Sequence, residues 1–310
     1  RPAGDVVKLY LTPSNREDFF TFTRMLIGQL RQVGKTHTAE RYVTVMNSFG
    51  RFRRENELLW EEVDSDLMVE YETYLKSRGV CPNTSSYYMR GLRAIYNRAV
   101  EKGMTVQREP FKYVYTGIDK TIKRAVPLKV IRQIRDLDLT LFPTMDFARD
   151  IFMFSFYTRG MSFIDMAYLK KKDLQGGTLS YRRQKTGQQL FVKWEKPMQE
   201  IVDKYNTNGT PYLLPIIRDM NADIRRQYKN AAHLVNDKLK KLGEKLGLTV
   251  PLTSYVARHG WASIARSRNI PLAIISEAMG HDSEKTTRIY LASLDTTSVD
   301  KANSRILKAL

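Results

Sequence analysis

Apolar side chains recur at helical spacing through the first third of the chain, and short polar stretches interrupt the pattern. This periodicity predicts four amphipathic helices that form a small bundle. The helices are predicted around residues 19–30, 38–52, 67–75 and 85–99. Ser14 and Asn15 precede the first helix and are residue types that cap helices. Gly79 and Pro82 separate the last two.

After Pro127 the pattern predicts a second domain that is mainly helical and carries a small β-hairpin sheet. Two alternating stretches, Thr178–Arg182 and Gln189–Lys193, predict the two strands, and Gly187 suits the turn between them. The helices are predicted around residues 128–136, 144–157, 163–170, 196–205, 219–246, 254–267, 271–279, 283–290 and 296–308. The predicted fold class is therefore mainly α, in two domains.

A basic stretch separates the two domains. Residues 112–135 hold seven Lys or Arg and a single acidic residue, Asp119. We interpret residues 114–126 as a linker that lies along a phosphate backbone, and a disordered charged hinge is the alternative. The predicted domains are then residues 1–113 and 127–310.

The charge balance narrows the class of partner. Among 310 residues there are 51 Lys or Arg against 33 Asp or Glu, which gives a net charge of +18 and a pI near 9.8. This balance predicts a polyanion, a nucleic acid in the first place, as the partner, and a merely solvated positive surface is the alternative. Cys81 is the only cysteine, which excludes an internal disulfide and a cysteine-based zinc cluster and fits a reducing cytoplasm.

Targeting signals do not change this picture. No stretch approaches the ~18 apolar residues of a membrane helix, and no signal-peptide pattern opens the chain. We therefore expect no membrane partner. Because the chain begins at Arg1 rather than Met, we expect that a further N-terminal segment is missing.

Basic residues near the predicted helix starts of the bundle are candidates for phosphate contacts. These candidates are Lys35, His37, Arg41 and Arg90, with the hydroxyl residues Thr36, Ser85 and Ser86 beside them on an exposed face. The linker adds Lys120, Lys123 and Arg124. A solvated polar face is the alternative for each, and His37 alone is more typical of a surface histidine.

Residues 253–259 carry the first group suited to phosphate chemistry. Hydroxyl residues precede a helix start, and Arg258 follows three residues after Tyr255 on the same helix face. Arg258 is thus predicted near a helix N-terminus, where free amides and the helix dipole favour a phosphate. Alone the signal is weak, because an arginine near a helix start is usually a surface residue.

The second group is a turn followed by a helix that carries a tyrosine. Gly280 and His281 form the turn, and Tyr290 lies two helical turns further on. Asp282 or Ser283 is predicted to cap the helix between them. His281 is suited to donate to a phosphate oxygen, and the phenol of Tyr290 is a candidate nucleophile for a DNA phosphate. A structural histidine and a core tyrosine are the alternatives.

Three stretches together resemble the tyrosine recombinases, also called the phage-integrase family. Residues 278–290 resemble the C-terminal signature of that family, residues 258–262 resemble its second-arginine motif, and Lys185-Thr186-Gly187 resembles its hairpin lysine. The first third resembles its helical core-binding domain, so the resemblance covers nearly the whole chain. It implies a two-domain, C-shaped clamp with a core-binding domain and a catalytic domain.

The resemblance also implies a role for each matching residue. Tyr290 would attack the scissile phosphate and form a 3′-phosphotyrosyl bond, releasing a 5′-hydroxyl. Lys185 would protonate the leaving oxygen, Arg258 would clamp non-bridging oxygens, and His281 would add a donor. No metal or other cofactor would be needed, because these cations supply the charge. The phosphotyrosyl bond would store the energy for resealing without ATP.

Two departures from the family pattern concern the general base and the first arginine. Tyr255 stands where the family usually has His or Lys, and a phenol with a pKa near 10 is a poor base at pH 7, so the identity of the general base is left open.

Ser162 stands at the place of the first arginine when Asp165 and Leu169 are aligned with the family pattern. We predict that Arg159, three residues earlier, substitutes for it. A site with one arginine fewer is the alternative.

The leading hypothesis is a site-specific recombinase for the integration, excision or inversion of a mobile element, because the Gly-Met-Ser-Phe variant resembles the integrases of conjugative transposons. The resemblance implies a homotetramer on two DNA sites, with DNA-bending proteins as accessory partners and a bacterial, nucleoid-associated location. Each protomer would lend residues from about 299 to 310 to a neighbour, unless this helix packs on its own domain.

Two other functions remain open, and a third is disfavoured. A DNA-binding regulator without catalysis is favoured by Ser162 and Tyr255, whereas a topoisomerase of related chemistry would relax DNA without paired sites. Four scattered histidines and the lack of an acidic cluster disfavour a metal-dependent nuclease.

Overall fold

The computed structural model describes residues 18–54, 57–119 and 125–291 together with Leu307, without the side chains of Ile289 and Tyr290. The chain divides into two compact units, residues 1–120 and 121–310. This division falls inside the stretch 114–126 for which the sequence predicts a linker. Lys120, Lys123 and Arg124 lie outside the described residues, so their predicted contact with DNA stays a prediction.

The described part of the first unit holds the four helices that the sequence predicts. They are α1 (Phe19–Gln32), α2 (Thr36–Arg53), α3 (Ser65–Ser77) and α4 (Pro82–Glu101). A 3₁₀ turn, Trp60–Glu62, lies between α2 and α3. The core is aromatic: Phe22, Phe49, Tyr71 and Tyr96 are fully buried. The hydroxyl of Tyr71 donates to Ser48 Oγ over 2.7 Å, which satisfies the polar end of the ring inside the core.

The first helix is capped by a residue that the sequence reading missed. The carboxylate of Asp18 accepts hydrogen bonds from the N–H groups of Phe20 and Thr21, at 3.3 and 3.0 Å. Because these amides have no partner within the helix, Asp18 satisfies them and fixes the start of α1. The predicted caps Ser14 and Asn15 are therefore wrong, and both lie outside the described residues.

The second unit holds most of the predicted helices. They are α5 (Leu128–Arg135), α6 (Pro143–Tyr157), α7 (Phe163–Tyr168), α8 (Lys196–Asp203), α9 (Ile224–Lys245), α10 (Ser254–Ser267), α11 (Leu272–Met279) and α12 (Glu284–Leu291). The helix α9 begins five residues later than predicted, because Asp223 caps it by accepting from the N–H of Arg226 over 3.0 Å. The helix predicted at 296–308 lies outside the described residues.

A three-stranded antiparallel sheet lies beside these helices, in the order β1 (Leu174–Gln175), β2 (Thr178–Arg182) and β3 (Gln189–Lys193). Strands β2 and β3 form the predicted hairpin with the predicted bounds. The sheet has one strand more than the predicted hairpin, and β1 was not predicted because it has only two residues and is too short to show an alternating pattern. Leu179 and Val192 pair across the hairpin and face the core.

The helix α6 forms the centre of the second core. Ile151, Phe152 and Phe154 are fully buried although they lie on different faces, because α9, α10 and further elements pack around this helix. A helical stretch that is apolar on all faces, as residues 151–154 are, is typical of such a central position. The turn after α6 and the starts of α7 and α10 are thereby held against one another.

A close approach of two helices in the first unit gives a test of the packing. A Cβ at Gly91 on α4 would lie 2.5 Å from Cγ2 of the fully buried Val45 on α2. Gly91→Ala should therefore lower the free energy of unfolding by about 1–3 kcal/mol. Urea denaturation followed by circular dichroism measures it, and adding Val45→Ala should recover part of the loss.

Gly28→Ala is the matched control, because Gly28 lies inside α1 with no atom within 4 Å of an added Cβ. It should leave the stability unchanged or raise it by up to about 1 kcal/mol. Equal stability of Gly91→Ala and the wild type would contradict this packing.

Candidate active site

Arg258 lies one turn into α10 and is buried, with 3% of its surface exposed. The start of the helix is held by Asn236 of α9, whose Oδ1 accepts from the backbone N–H and the hydroxyl of Ser254 at 2.9 and 3.1 Å. Thr253 occupies the capping position without a side-chain hydrogen bond. The predicted hydroxyl cap is therefore wrong, and an amide oxygen takes its part.

The guanidinium of Arg258 joins three elements. Nη1 donates to the carbonyl oxygen of Gly160 over 2.7 Å, and Nη2 donates to that of Met279 over 2.6 Å. Gly160 follows α6 and Met279 ends α11. Hydrogen bonds from a charged donor are stronger than neutral ones. Arg258 therefore fixes the turn after α6 and the end of α11 relative to α10.

Only glycine fits at position 160. Its φ of +77° lies in the left-handed region, and a Cβ there would come within 2.8 Å of Cα and 2.9 Å of Cγ of Arg258. Any side chain would therefore displace Arg258 or the turn. Gly160 thus allows the backbone after α6 to approach the arginine closely.

His281 lies beside Arg258, in the turn that the sequence predicts. Gly280 ends α11 with a left-handed φ of 62°. Nε2 of His281 is 3.0 Å from Nη2 of Arg258, and Nδ1 is 2.7 Å from Oγ1 of Thr287. Because arginine only donates, Nε2 must accept, and the proton of the neutral ring is then assigned to Nδ1, which donates to Thr287.

The surroundings of His281 keep its ring neutral. Burial, together with the positive charges of Arg258, Arg183 and Lys185, lowers the pKa of His281 to about 4. The three cations therefore lie near enough to one imidazole to repel a proton from it. This group, defined as the cationic pocket, consists of Arg258, His281, Arg183 and Lys185.

Lys185 lies in the turn between β2 and β3, and its side chain is exposed. The turn is anchored by the buried Asp165, whose Oδ1 accepts from the N–H of Gln184 over 2.8 Å. Oδ2 of Asp165 accepts from the hydroxyl of Ser162 over 2.6 Å. Ser162, at the place of the first arginine, thus caps α7 and supports the carboxylate that holds the lysine turn.

Arg183 is the member of the cationic pocket that the sequence reading missed. It is 7% exposed, and its Nη1 donates to the carbonyl oxygen of Gly280, next to His281. Its Nε is buried without a hydrogen-bond partner among the residues that the structure describes. The signal was available, because continuing the alternation past Tyr181 (inward) and Arg182 (outward) turns Arg183 inward.

Arg159, which the sequence predicts as the substitute arginine, hydrogen-bonds to the sheet. Its backbone has a positive φ of 62°, and Nη1 donates to the carbonyl oxygen of Phe191 on β3 over 3.1 Å. The guanidinium thus bonds to the sheet, at the edge of an open groove.

The groove beside Arg159 has a volume of about 600 Å³. Its walls come from β3, α10 and α11 and include five apolar side chains, all of which except the buried Leu190 are partly or largely exposed. These residues are Leu190, Phe191, Trp261, Ile270 and Ile274. Exposed fractions of 61% for Phe191 and 54% for Ile274 are high for large apolar side chains on a monomer.

The remaining candidates of this unit are the two tyrosines, Tyr255 and Tyr290. Tyr255 is 53% exposed, and its ring meets that of His259 edge-on with 4.6 Å between centroids. Tyr290 lies in α12, whose start is capped as predicted, by Ser283 Oγ accepting from the N–H of Thr286 at 3.4 Å. The side chain of Tyr290 lies outside the described part, so its predicted role stays a prediction.

The candidates in the first unit divide into exposed and buried residues. Lys35 and His37 are exposed at the start of α2, Arg41 covers the ring of Tyr87 at 5.1 Å, and Nε of Arg90 bonds to the carbonyl of Ser86. Ser85 and Ser86, predicted on an exposed face, are buried instead, since α4 turns them inward and Ser86 donates to the carbonyl of Gly117.

Two kinds of feature are absent from the part of the chain that the structure describes. No group of three or more His, Cys, Asp or Glu side chains in that part of the chain is placed to hold a metal ion. None of the helices described there is long and apolar enough to span a bilayer.

Comparison with protein families assigns both units. The phage integrase SAM-like domain matches residues 18–117. The model of the phage integrase family matches residues 143–297, half of the chain. The chain belongs to the phage integrase family. As a tyrosine recombinase, it is a recombinase enzyme, which confirms the family predicted from the sequence.

Similar proteins and structures agree with this assignment. The tyrosine recombinase XerA of Pyrococcus horikoshii is 23% identical over 263 residues, which cover 74% of this chain and 90% of that protein. The lambda integrase dimer bound to a COC′ core site has a TM-score of 0.67 at 14% identity, covering 94% of this chain and 81% of that one.

The Tn1549 transposon integrase in complex with a circular intermediate DNA has a TM-score of 0.60 at 14% identity, covering 94% and 99%. These likenesses confirm the mainly helical fold class of the tyrosine recombinases with its small sheet.

The depressed pKa of His281 predicts how the stability of this recombinase depends on pH. As pH falls from about 6.5 toward 4, the unfolded chain takes up a proton at His281 before the folded chain does, so stability falls in this window. His281→Gln should therefore lose less stability than the wild type between pH 7 and pH 5. Urea denaturation at both values measures the difference.

His233→Gln, a change at an exposed histidine of α9, is the matched control and should follow the wild type. An equal loss of stability in all three proteins would show that His281 is not held neutral by its surroundings.

Proposed function

We propose that this chain is a site-specific DNA recombinase that cuts and rejoins strands through a 3′-phosphotyrosyl bond to Tyr290. The observation that carries the proposal is the cationic pocket. Two arginines and a lysine lie near the neutral His281, which directly precedes the helix that carries Tyr290. Both buried guanidiniums act on the same imidazole, so their charges repel each other, and a bound phosphate would offset this repulsion. The pocket is thus suited to an anion.

In the proposed reaction, the phenol oxygen of Tyr290 attacks the scissile phosphorus while the bond to the 5′ oxygen breaks. Lys185 gives a proton to that leaving oxygen, so that a 5′-hydroxyl is released. Arg258 and Arg183 stabilise the charge on the non-bridging oxygens. The new phosphotyrosyl ester keeps the energy of the broken ester, so an incoming 5′-hydroxyl reverses the step on another strand without ATP.

Arg183 supplies the second guanidinium that the family pattern places at Ser162. Its support is its burial, its contact with Gly280 beside His281, and an Nε without a partner among the described residues. Arg159 is the competing candidate, but its guanidinium bonds to β3. The second cation therefore comes from the hairpin that also carries Lys185.

Double-stranded DNA is the proposed substrate. The net charge of +18 favours a polyanion, and the similar lambda and Tn1549 integrases are described as bound to DNA. In the first unit, Lys35, His37, Arg41 and Arg90 are proposed to contact phosphates. The likeness to a transposon integrase favours a mobile element as the biological substrate.

The groove lined by Phe191, Trp261 and Ile274 supports a proposed assembly. An apolar groove of this size is suited to the apolar face of a helix. We assign it to residues 299–310 of a neighbouring protomer, where Ile306, Leu307 and Leu310 supply apolar side chains. Cyclic exchange of this segment would give the proposed tetramer on two DNA sites.

A DNA-binding regulator without catalysis is the second candidate. Ser162 hydrogen-bonds to Asp165 instead of supplying a cation, and the exposed Tyr255 stands at the place of a general base. A covalent intermediate separates the two functions, because a regulator forms none.

The first prediction for this function is a covalent adduct on Tyr290. Nicked duplexes made from genomic DNA that flanks the gene of this chain should trap the protein in a complex resistant to SDS, because the short fragment between the cleavage site and the nick, which carries the released 5′-hydroxyl, diffuses away. Digestion and mass spectrometry should locate the adduct on Tyr290.

Tyr290→Phe should form no adduct and still bind the duplexes. Binding by the wild type without any adduct would favour the catalytically silent regulator.

The second prediction separates the two candidate arginines. Arg183→Ala should slow adduct formation by about 100-fold or more, since one donor to the developing charge is lost. Arg183→Lys should recover only part of the rate, because an ammonium lacks the fork of a guanidinium. Single-turnover cleavage of the captured duplex measures the rates.

Arg182→Ala changes the exposed neighbouring arginine and should cleave nearly as fast as the wild type. A large loss in Arg159→Ala together with a normal rate in Arg183→Ala would overturn the assignment of Arg183.

A further inference from the structure

Thr287 contacts the cationic pocket, but the proposed reaction gives it no part. Its side chain is fully buried, and Oγ1 lies 2.7 Å from Nδ1 of His281. It lies on α12, three residues before Tyr290. A hydroxyl both donates and accepts, and its hydrogen rotates to suit the partner. Thr287 therefore bonds to His281 whichever ring nitrogen carries the proton.

The resting tautomer of His281 does not suit the role that the family resemblance implies, which is to donate a hydrogen bond to a phosphate oxygen. Nε2 faces Arg258, which only donates, so the ring proton is on Nδ1 and Thr287 accepts it. Nε2 then has no proton to give to a phosphate oxygen. To become a donor there, the ring must either gain a second proton or move its proton from Nδ1 to Nε2.

The charges around His281 disfavour the first route. Arg258 from α10, together with Arg183 and Lys185 from the β2–β3 hairpin, faces the ring and opposes a positive charge on it. A carboxylate in place of Thr287 would offset them, but it would accept only and would keep the proton on Nδ1. A neutral hydroxyl is the partner that permits the second route.

We propose that Thr287 is a positioning residue that holds His281 in two neutral tautomers in turn, an inference that rests on the proposed recombinase function. With the pocket empty, Thr287 accepts from Nδ1–H and Nε2 accepts from Arg258. With a phosphate bound, Thr287 donates to Nδ1 and Nε2–H donates to a phosphate oxygen. Nδ1 gives its proton to water and Nε2 takes one from water, so the ring charge stays zero.

The same contact links two parts of the site. Because Thr287 and Tyr290 lie on one helix of eight residues, the bond to His281 also ties the helix of the nucleophile to the phosphate-binding residues. The nucleophile and the donor for the phosphate oxygen are then positioned together.

The resting tautomer is tested without any DNA. In protein labelled with ¹⁵N-histidine, long-range ¹⁵N–¹H spectra distinguish Nδ1–H from Nε2–H, and His281→Gln identifies the signal among the four histidines. The wild type and Thr287→Ser should show Nδ1–H. Thr287→Val, which has nearly the same shape but no hydroxyl, should keep the proton on Nδ1, because Arg258 still donates to Nε2, but the Nδ1–H signal should lose the downfield shift of a hydrogen-bonded proton. An unchanged signal in Thr287→Val would overturn the proposal.

Cleavage of the captured nicked duplex tests the second state. Thr287→Val should form the adduct about tenfold more slowly or worse, the loss expected for one buried hydrogen bond, while Thr287→Ser recovers most of the rate. Thr286→Val, at the exposed neighbouring threonine, should cleave normally. Wild-type speed in Thr287→Val would contradict the proposal. If the wild type itself forms no adduct, the recombinase function fails, while the spectra still decide the resting tautomer.

Discussion

The site depends on one interaction, the burial of the Arg258 guanidinium between two backbone carbonyl groups. A buried charge is stable only when its hydrogen bonds are made, and Gly160 and Met279 provide acceptors at 2.7 and 2.6 Å. These carbonyls come from segments that are distant in sequence, so the charge can be buried only when the turn after α6, the start of α10 and the end of α11 are all in place.

Other features of the site follow from this constraint. Gly160 has no side chain because one would collide with Arg258, and His281 is neutral because it is buried beside that charge. Arg183 is held by the carbonyl of the residue before His281. The result is a group of cations that repel each other and are fixed before any substrate arrives. Such fixed charges stabilise a developing anion without reorganising when it forms.

Periodicity was enough to predict most helices and the hairpin, because these depend on local spacing. It failed where a single side chain determines how the start of a helix is capped. Asp18 rather than Ser14 or Asn15 caps α1, and Asn236, distant in sequence, replaces the hydroxyl cap of α10. The family motifs led to Arg258, His281 and Lys185, which the structure brings together.

For the cation that replaces the missing first arginine, the sequence and the structure favour different residues. The motif directed attention to the neighbourhood of Ser162 and hence to Arg159, whereas the buried guanidinium beside His281 belongs to Arg183, on a hairpin about twenty residues later. Strand alternation contained this information, since it turns Arg183 inward. Its proximity to His281 depends on packing between the sheet and α11, which no local pattern encodes.

The most direct test of the account is a crystal structure of Tyr290→Phe bound to the captured duplex. The account predicts that the scissile phosphate lies in the cationic pocket, with its oxygens in hydrogen-bond distance of Arg258, Arg183 and Nε2 of His281. A phosphate bound outside this pocket, or held by Arg159 while Arg183 keeps its bond to Gly280, would contradict it.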